Sequence, residues 1–413
     1  IIVSLSNMDI ESFKNRWKEL GIIPSKETMY VCTNQIIAYN NIIVRDNQQG
    51  KIQYYARNHH QQELLMSIPT DNITPLTLFS DVVERLPYSK NKTILYLDDI
   101  DIIYTFANHM FSIFPRVQSL ESPILLAYYK YLDENYPKEY IQKELLFYGI
   151  VLYIEPMDEV SKKFAVHSFM KESTIHFILA DSTIQEEASL YAKSIILTTD
   201  TLSSVQTLGK AGQFNHYFIG NRIIIHTKDT NAAMTKTIYN YLDGKQITLD
   251  KTQDLSHAIN KEDAVISFLH QDIYDTIRNY FDNIVIEDLE SYVSSLFTNL
   301  GLQTYLTTIL EILSKQKAIK DMPDIASIVS SYLDYAEGTK IKDLIQKDHK
   351  TDTEITNKYI TKKISEINRY HNIIKKILHI TFTVIVKDND KYLNYYYMIQ
   401  SGIFNPRVLP LIR

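Results

Sequence analysis

Cysteine is almost missing: Cys32 is the only one in 413 residues. A disulfide framework and a cysteine-rich zinc site are both excluded. Glycine is scarce too, at 10 residues, which leaves few tight turns and few glycine-rich phosphate loops. No apolar run approaches the roughly 20 residues that span a bilayer, and no signal peptide is expected. The first residue is Ile1, not Met, which points to a fragment or a processed product. The motifs G-x-S-x-G and H-E-x-x-H do not occur, and Cys32 forms no Cys–His pairing, so nucleophilic-hydrolase and zinc-protease chemistry lack their residues.

The chain is 45% hydrophobic and 22% charged, as a globular protein with a sizeable core should be, and long enough for two or three domains. Its net charge of −6 argues against a surface that coats nucleic acid as a whole, while leaving room for a local basic face. Thirty tyrosines, with abundant Ile, Asn and Lys, fit an AT-rich genome such as that of a large virus, a phage or a low-GC bacterium. The expected location is cytoplasmic, meaning host cytoplasm or virion if the source is viral.

Patterning suggests three domains. Residues 1–90 read as a helix plus a β-meander. Ile10, Phe13, Trp17 and Leu20 share a helical face before Gly21, and strands are expected at 29–33, 35–45 and 51–57. His59 and His60 are adjacent; on a helix they would point about 100° apart, which makes them poor joint metal ligands. Thr74-Pro75 opens a further helix.

Residues 91–250 read as an α/β core with a mostly parallel sheet flanked by helices. Strands are expected at 93–97, 150–154, 174–180 and 194–198, and helices at 100–114, 122–135, 138–148, 158–171 and 231–242. Thr183 and Glu186 form a capping box for a helix, and Gly220-Asn221 between apolar runs predicts a hairpin turn at 217–226.

Residues 251–413 read as a helical domain that ends in a β-hairpin. Helices are expected at 260–281, 286–299, 303–317, 323–336, 340–347 and 353–378, and the hairpin from 379–386 and 392–398. On the last helix Ile360, Ile364, Ile367, His371, Ile374 and Leu378 make a narrow packing seam. The same helix carries Lys358, Lys362, Lys363, Arg369, Lys375 and Lys376, a basic run suited to a solvated face or to weak contact with a nucleic-acid backbone. Tyr395, Tyr396 and Tyr397 alternate faces in a strand, so at least one would point outward.

The expected parallel strands end in acids: Asp98, Asp99 and Asp101 after the first, then Glu155, Asp181 and Asp200. Carboxylates converging on one rim suit Mg²⁺, a hard cation that assists phosphoryl transfer. The same acids also suit N-caps of the helices that follow.

Short resemblances touch this rim. The stretch 93–99 resembles the Walker B strand of AAA-type ATPases, and 195–199 their sensor strand; the Walker A pattern is absent, Gly209-Lys210-Ala211-Gly212 being the nearest phrase. Asp99-Ile100-Asp101, with Leu197-Thr198 ending a later strand, resembles haloacid dehalogenase-type phosphatases. That resemblance implies Asp99 as nucleophile, Asp101 as general acid, Thr198 as phosphate holder and Lys210 or Lys228 as the lysine. Ile103 stands where that family has Thr or Val. Tyr96-Leu97-Asp98-Asp99 also resembles the Y-x-D-D signature of reverse transcriptases, without a matching palm sequence.

Two functional expectations follow. The first is a non-catalytic structural or assembly protein without a cofactor, making protein–protein contacts with other subunits in a larger complex of viral or phage type. The second is a Mg²⁺-dependent phosphoryl-transfer enzyme, phosphatase-like or a degenerate nucleotide binder. It would use Asp99, Asp101 and Thr198 in catalysis and Asp99, Asp101, Asp181 and Asp200 as metal ligands.

Overall fold

The computed structural model describes residues 38–46, 50–58, 61–70, 74–85, 92–187, 189–198, 207–212, 219–226, 232–243, 261–282, 299–316, 324–336, 339–348 and 355–386. The expected elements at 10–20, 29–33 and 392–398 lie outside these residues, as do 286–298 of the helix expected at 286–299, and His59, His60, Asp200, Lys228 and Tyr395–Tyr397. Two compact units emerge, Ile1–Leu132 with Ile141–Ala258, and Asp133–Tyr140 with Ile259–Arg413.

The first unit is α/β. Its strands are β1 (Ala38–Asp46), β2 (Lys51–Asn58), β3 (Gln61–Pro69), β4 (Thr93–Tyr96), β5 (Ile150–Tyr153), β6 (Phe177–Ala180), β7 (Ser194–Leu197) and β8 (Ile219–His226). They form one sheet in the order β3-β2-β1-β8-β7-β4-β6-β5. From β1 to β5 all neighbours are parallel, and β2 and β3 add an antiparallel margin. Every residue of β4 to β7 is buried, which is why these strands read as unbroken apolar runs: helices cover a parallel sheet on both faces. The helices of the unit are α1 (Pro75–Arg85), α2 (Ile100–Ile113), α3 (Pro123–Asn135, whose last residues fall in the other unit), α4 (Ile141–Leu145), α5 (Glu159–Lys171) and α6 (Ala232–Leu242). Aromatic pairs join the layers: Phe79 of α1 meets Phe106 of α2 edge-on at 5.2 Å, and Phe114 meets Phe177 of β6 at 4.9 Å.

Gly149 turns the chain into β5 with φ +73°, and a Cβ there would sit 2.5 Å from the Thr174 carbonyl oxygen, so only glycine fits. Gly220 corrects an expectation. It makes no hairpin turn but lies within β8, which pairs in parallel with β1 on one side and β7 on the other. A Cβ at Gly220 would come within 3.0 Å of the backbone at Ala211 and Gly212. The glycine marks a close backbone approach inside a strand, and the turn reading fails for that reason. The helix expected after Thr183 is a five-residue 3₁₀ turn, Ser182–Glu186.

The second unit is helical. Its helices are α7 (Lys261–Asp282), α8 (Asn299–Lys315), α9 (Ile325–Ala336), α10 (Ile341–Asp348) and α11 (Asn357–Val386). They bury Ile277, Leu306, Ile309, Leu310, Val329 and Ile374 in one core. α11 continues through 379–386, where a strand was expected. Ile377, Leu378, Ile380 and Thr381 stay buried on the helical period, and the Tyr305 and Thr381 hydroxyls meet at 2.6 Å. Tertiary packing overrides the strand preference of the β-branched run. Among the described residues no helix is long and apolar enough to cross a membrane.

Candidate functional site at the carboxyl rim of the sheet

β4 leads outward to β5, from which the chain returns to β6, while β7 leads the other way to β8. β4 and β7 are neighbours, so the connections diverge at their carboxyl ends, the place where open α/β sheets bind ligands. Tyr96 pairs with both Ala180 and Leu197, and Tyr153 pairs with Ala180. The register therefore sets Leu97, Ile154, Asp181 and Thr198 at one level, each a residue past its strand. Asp98 and Glu155 stand one residue further out.

Thr198 is half-buried, and its hydroxyl donates to the Tyr96 carbonyl at 3.4 Å, beside the end of β4. Asp99 is exposed and caps α2, its Oδ1 accepting the Ile102 N–H at 3.1 Å. Asp101 is exposed in the first turn of α2, where negative charge favours the helix dipole. Asp98 is exposed and Glu155 half-buried.

Asp181 is buried. Its Oδ1 accepts from the Thr183 N–H at 3.0 Å and the Thr183 hydroxyl at 2.6 Å, and its Oδ2 from the Glu155 N–H at 2.7 Å. Burial pushes its carboxyl up from the usual carboxylate range, while these donors pull it back down. A carboxylate that already accepts three protein hydrogen bonds is engaged as a cap and as a tie between strand ends.

Asp158 escaped the sequence reading. It caps α5 through the Val160 and Ser161 N–H groups at 2.9 and 3.0 Å, and it accepts from the Tyr131 hydroxyl at 2.8 Å. Its place immediately before Glu159-Val160-Ser161 was the available signal. Three acids near the strand ends, Asp99, Asp158 and Asp181, thus serve backbone N–H groups.

Lys210, a candidate lysine of the phosphatase resemblance, lies at the other edge of the sheet. The Ala192 N–H donates to the Lys210 carbonyl, and Ala192 precedes β7, whereas Thr198 follows it. Six residue steps of extended chain separate the two levels by about 20 Å. Lys210 is 2% exposed and donates its Nζ to the Glu187 carbonyl at 2.5 Å; burial lowers its ammonium to about 8. Among the described residues no three His, Cys, Asp or Glu side chains gather as a set able to hold a metal ion.

No family model matches the chain, and no curated protein matches it.

Proposed function

We propose that the chain is a non-catalytic structural or assembly protein that acts through protein–protein contacts inside a larger complex of viral or phage type. The carrying observation is β3. It is the outer strand of the sheet among the described residues, and Leu64 and Leu65 are each 50% exposed on it, with Met66 beside them. An outer strand with exposed apolar side chains and only Glu63 as a charge lacks the usual protection against pairing, which suits a surface that another subunit covers. The engagement of Asp99, Asp158 and Asp181 as caps supports the same reading. Leu64→Lys with Leu65→Lys should leave the fold intact, measured by thermal unfolding, and lower the sedimentation coefficient of any assembly the wild type forms. An assembly unchanged by both lysines would overturn the role of β3.

The basic run on α11 is the proposed contact with nucleic acid. Lys358, Lys362, Arg369 and Lys376 fall within about 40° of one another at 100° per residue, opposite the buried Ile360, Ile364, His371, Ile374 and Leu378. Lys363 leaves the stripe and pairs with Glu366 at 3.0 Å.

A second reading, Mg²⁺-dependent phosphoryl transfer, draws on the switch point, where exposed Asp98 and Asp99 stand near Thr198. Adding Mg²⁺ during thermal unfolding separates the two. The assembly reading expects no shift in wild type or in Asp99→Asn, since asparagine caps nearly as well. A stabilisation of the wild type by Mg²⁺ that Asp99→Asn removes would favour the enzyme.

A further inference from the structure

The last helix of the helical unit holds more positive charge than its own acids can neutralise. α11 carries Lys358, Lys362, Lys363, Arg369, Lys375 and Lys376 against a single acid, Glu366, in a chain whose net charge is −6. Lys363 takes that acid at 3.0 Å. Among the described residues Lys362, Arg369 and Lys376 make no ion pair. Lys358 and Lys362 are exposed, and Arg369 and Lys376 half-buried. Ser365 and Asn372 complete the face these four cations share, and no acid interrupts it. Like charges four residues apart on a helix repel, so Lys358 and Lys362 disfavour the helix they sit on. A polyanion along this face would offset the repulsion.

The stripe is long and unbroken. α11 contains neither Pro nor Gly, the residues that most often kink a helix. At 1.5 Å per residue, Lys358, Lys362, Arg369 and Lys376 stand about 6, 10 and 10 Å apart along the axis and span about 27 Å. Two kinds of polyanion suit it poorly. A single strand is held by aromatic side chains on which its bases stack. The nearest tyrosines, Tyr359 and Tyr370, lie about 60° and 80° outside the stripe, and Tyr370 packs against the core of the unit. An acidic membrane surface takes up an amphipathic helix by its apolar face. The apolar face of α11 is already occupied, since Ile360, Ile364, Ile374, Ile377 and Leu378 are buried.

We propose that α11 lies along the phosphate backbone of a nucleic-acid duplex, Lys358, Lys362, Arg369 and Lys376 each meeting one phosphate, and binds it without reading its sequence. The inference rests on the reading of α11 as the nucleic-acid contact and names the form of the partner. A duplex carries about one charge per 1.7 Å of axis, so phosphates lie close enough together for every cation of the row to reach one. Lysine and arginine contacts to phosphate position a protein and carry no sequence information. The duplex brings its phosphates already ordered, whereas a single strand loses chain freedom to match a rigid row.

The test measures the affinity of the full chain for a mixed-sequence duplex of about 20 base pairs, made as DNA and as RNA, for the single strands of each, and for phosphatidylserine vesicles. The tighter duplex identifies the source and should bind better than any single strand. Affinity for the DNA duplex should fall about 150-fold between roughly 50 and 200 mM salt, the response of four phosphate contacts. Lys362→Gln with Arg369→Gln should reduce that fall to about 12-fold, and Lys362→Gln alone, at an exposed position, to about 40-fold. Lys363→Gln, which removes the partner of Glu366, should leave it unchanged. Thermal unfolding of each variant checks that the fold is kept. A single strand bound more tightly than either duplex would overturn the duplex and leave the nucleic-acid contact standing. No binding to any nucleic acid, or binding to the vesicles alone, would overturn both. A salt response untouched by the Lys362 and Arg369 substitutions would take the contact off α11.

Discussion

The carboxylate of Asp181 holds the backbone N–H of Glu155 at 2.7 Å, so the end of β6 is tied to the end of β5. The other oxygen of the same side chain turns the chain after β6 through Thr183. One acid thereby sets the course of two loops at the rim.

Asp181→Ala should cost stability because it orphans two N–H groups and a hydroxyl in a buried setting. The expected loss is about 1–3 kcal/mol, read as a lower urea midpoint at unchanged slope. Asp99→Ala, an exposed cap, should cost about 1 kcal/mol. Equal effects from both variants would contradict the tie.

Two lysines, Lys210 buried and Lys92 half-buried, predict a rise of stability with alkaline pH. Burial lowers Lys210 and Lys92 to about 8, while the unfolded chain keeps them near 10.4. The unfolded state therefore binds more protons between pH 8 and 10, and the folding constant should grow across that window. Above pH 10 the buried Tyr128 and Tyr241, raised by burial, reverse the trend as unfolded tyrosines ionise. Lys210→Met should raise stability at pH 7 and flatten the slope; chemical denaturation at pH 7, 8, 9 and 10 measures both.

His371 makes the helical unit acid-sensitive. It is 4% exposed against the ring of Tyr332, and burial lowers it to about 3. Below the unfolded value near 6.5 the unfolded chain takes a proton that the folded unit refuses, so stability is lost as pH falls from 6.5 toward 3. His371→Phe should weaken that loss. Helical circular dichroism during melts at pH 7 and pH 5 reads it out, and an identical pH response in wild type and variant would refute the role.

Leu95 sits at the middle of β4, fully buried between β6 and β7. Leu95→Asp should prevent folding, since an unpaired charge there is too costly. A soluble, cooperatively melting Leu95→Asp protein would be incompatible with the sheet order.

Much of the architecture was legible in the residues. The apolar runs at 93–97, 150–154 and 194–198 had to be strands buried on both faces, because nothing else of that length hides every side chain. The amphipathic periods of α2, α9 and α11 announced helices in the same way, and the seam of α11 was visible down to His371. These features depend on neighbours in sequence, and local spacing is enough to decide them.

What only the tertiary structure decided depends on segments distant in sequence. Gly220 looked like a turn until Ala211 came up against it, and 379–386 looked like a strand until packing with the α8 face, through Tyr305 and Thr381, held it helical. The rim acids could equally have served a ligand or a backbone N–H. The choice rested on where Glu155, Ile102 and Thr183 were carried by the chain after each strand. The order of strands follows from which apolar runs pair, and no residue encodes that alone. Local periodicity sets what an element is; pairing across long loops sets what it faces, because those contacts exist only once the core has closed.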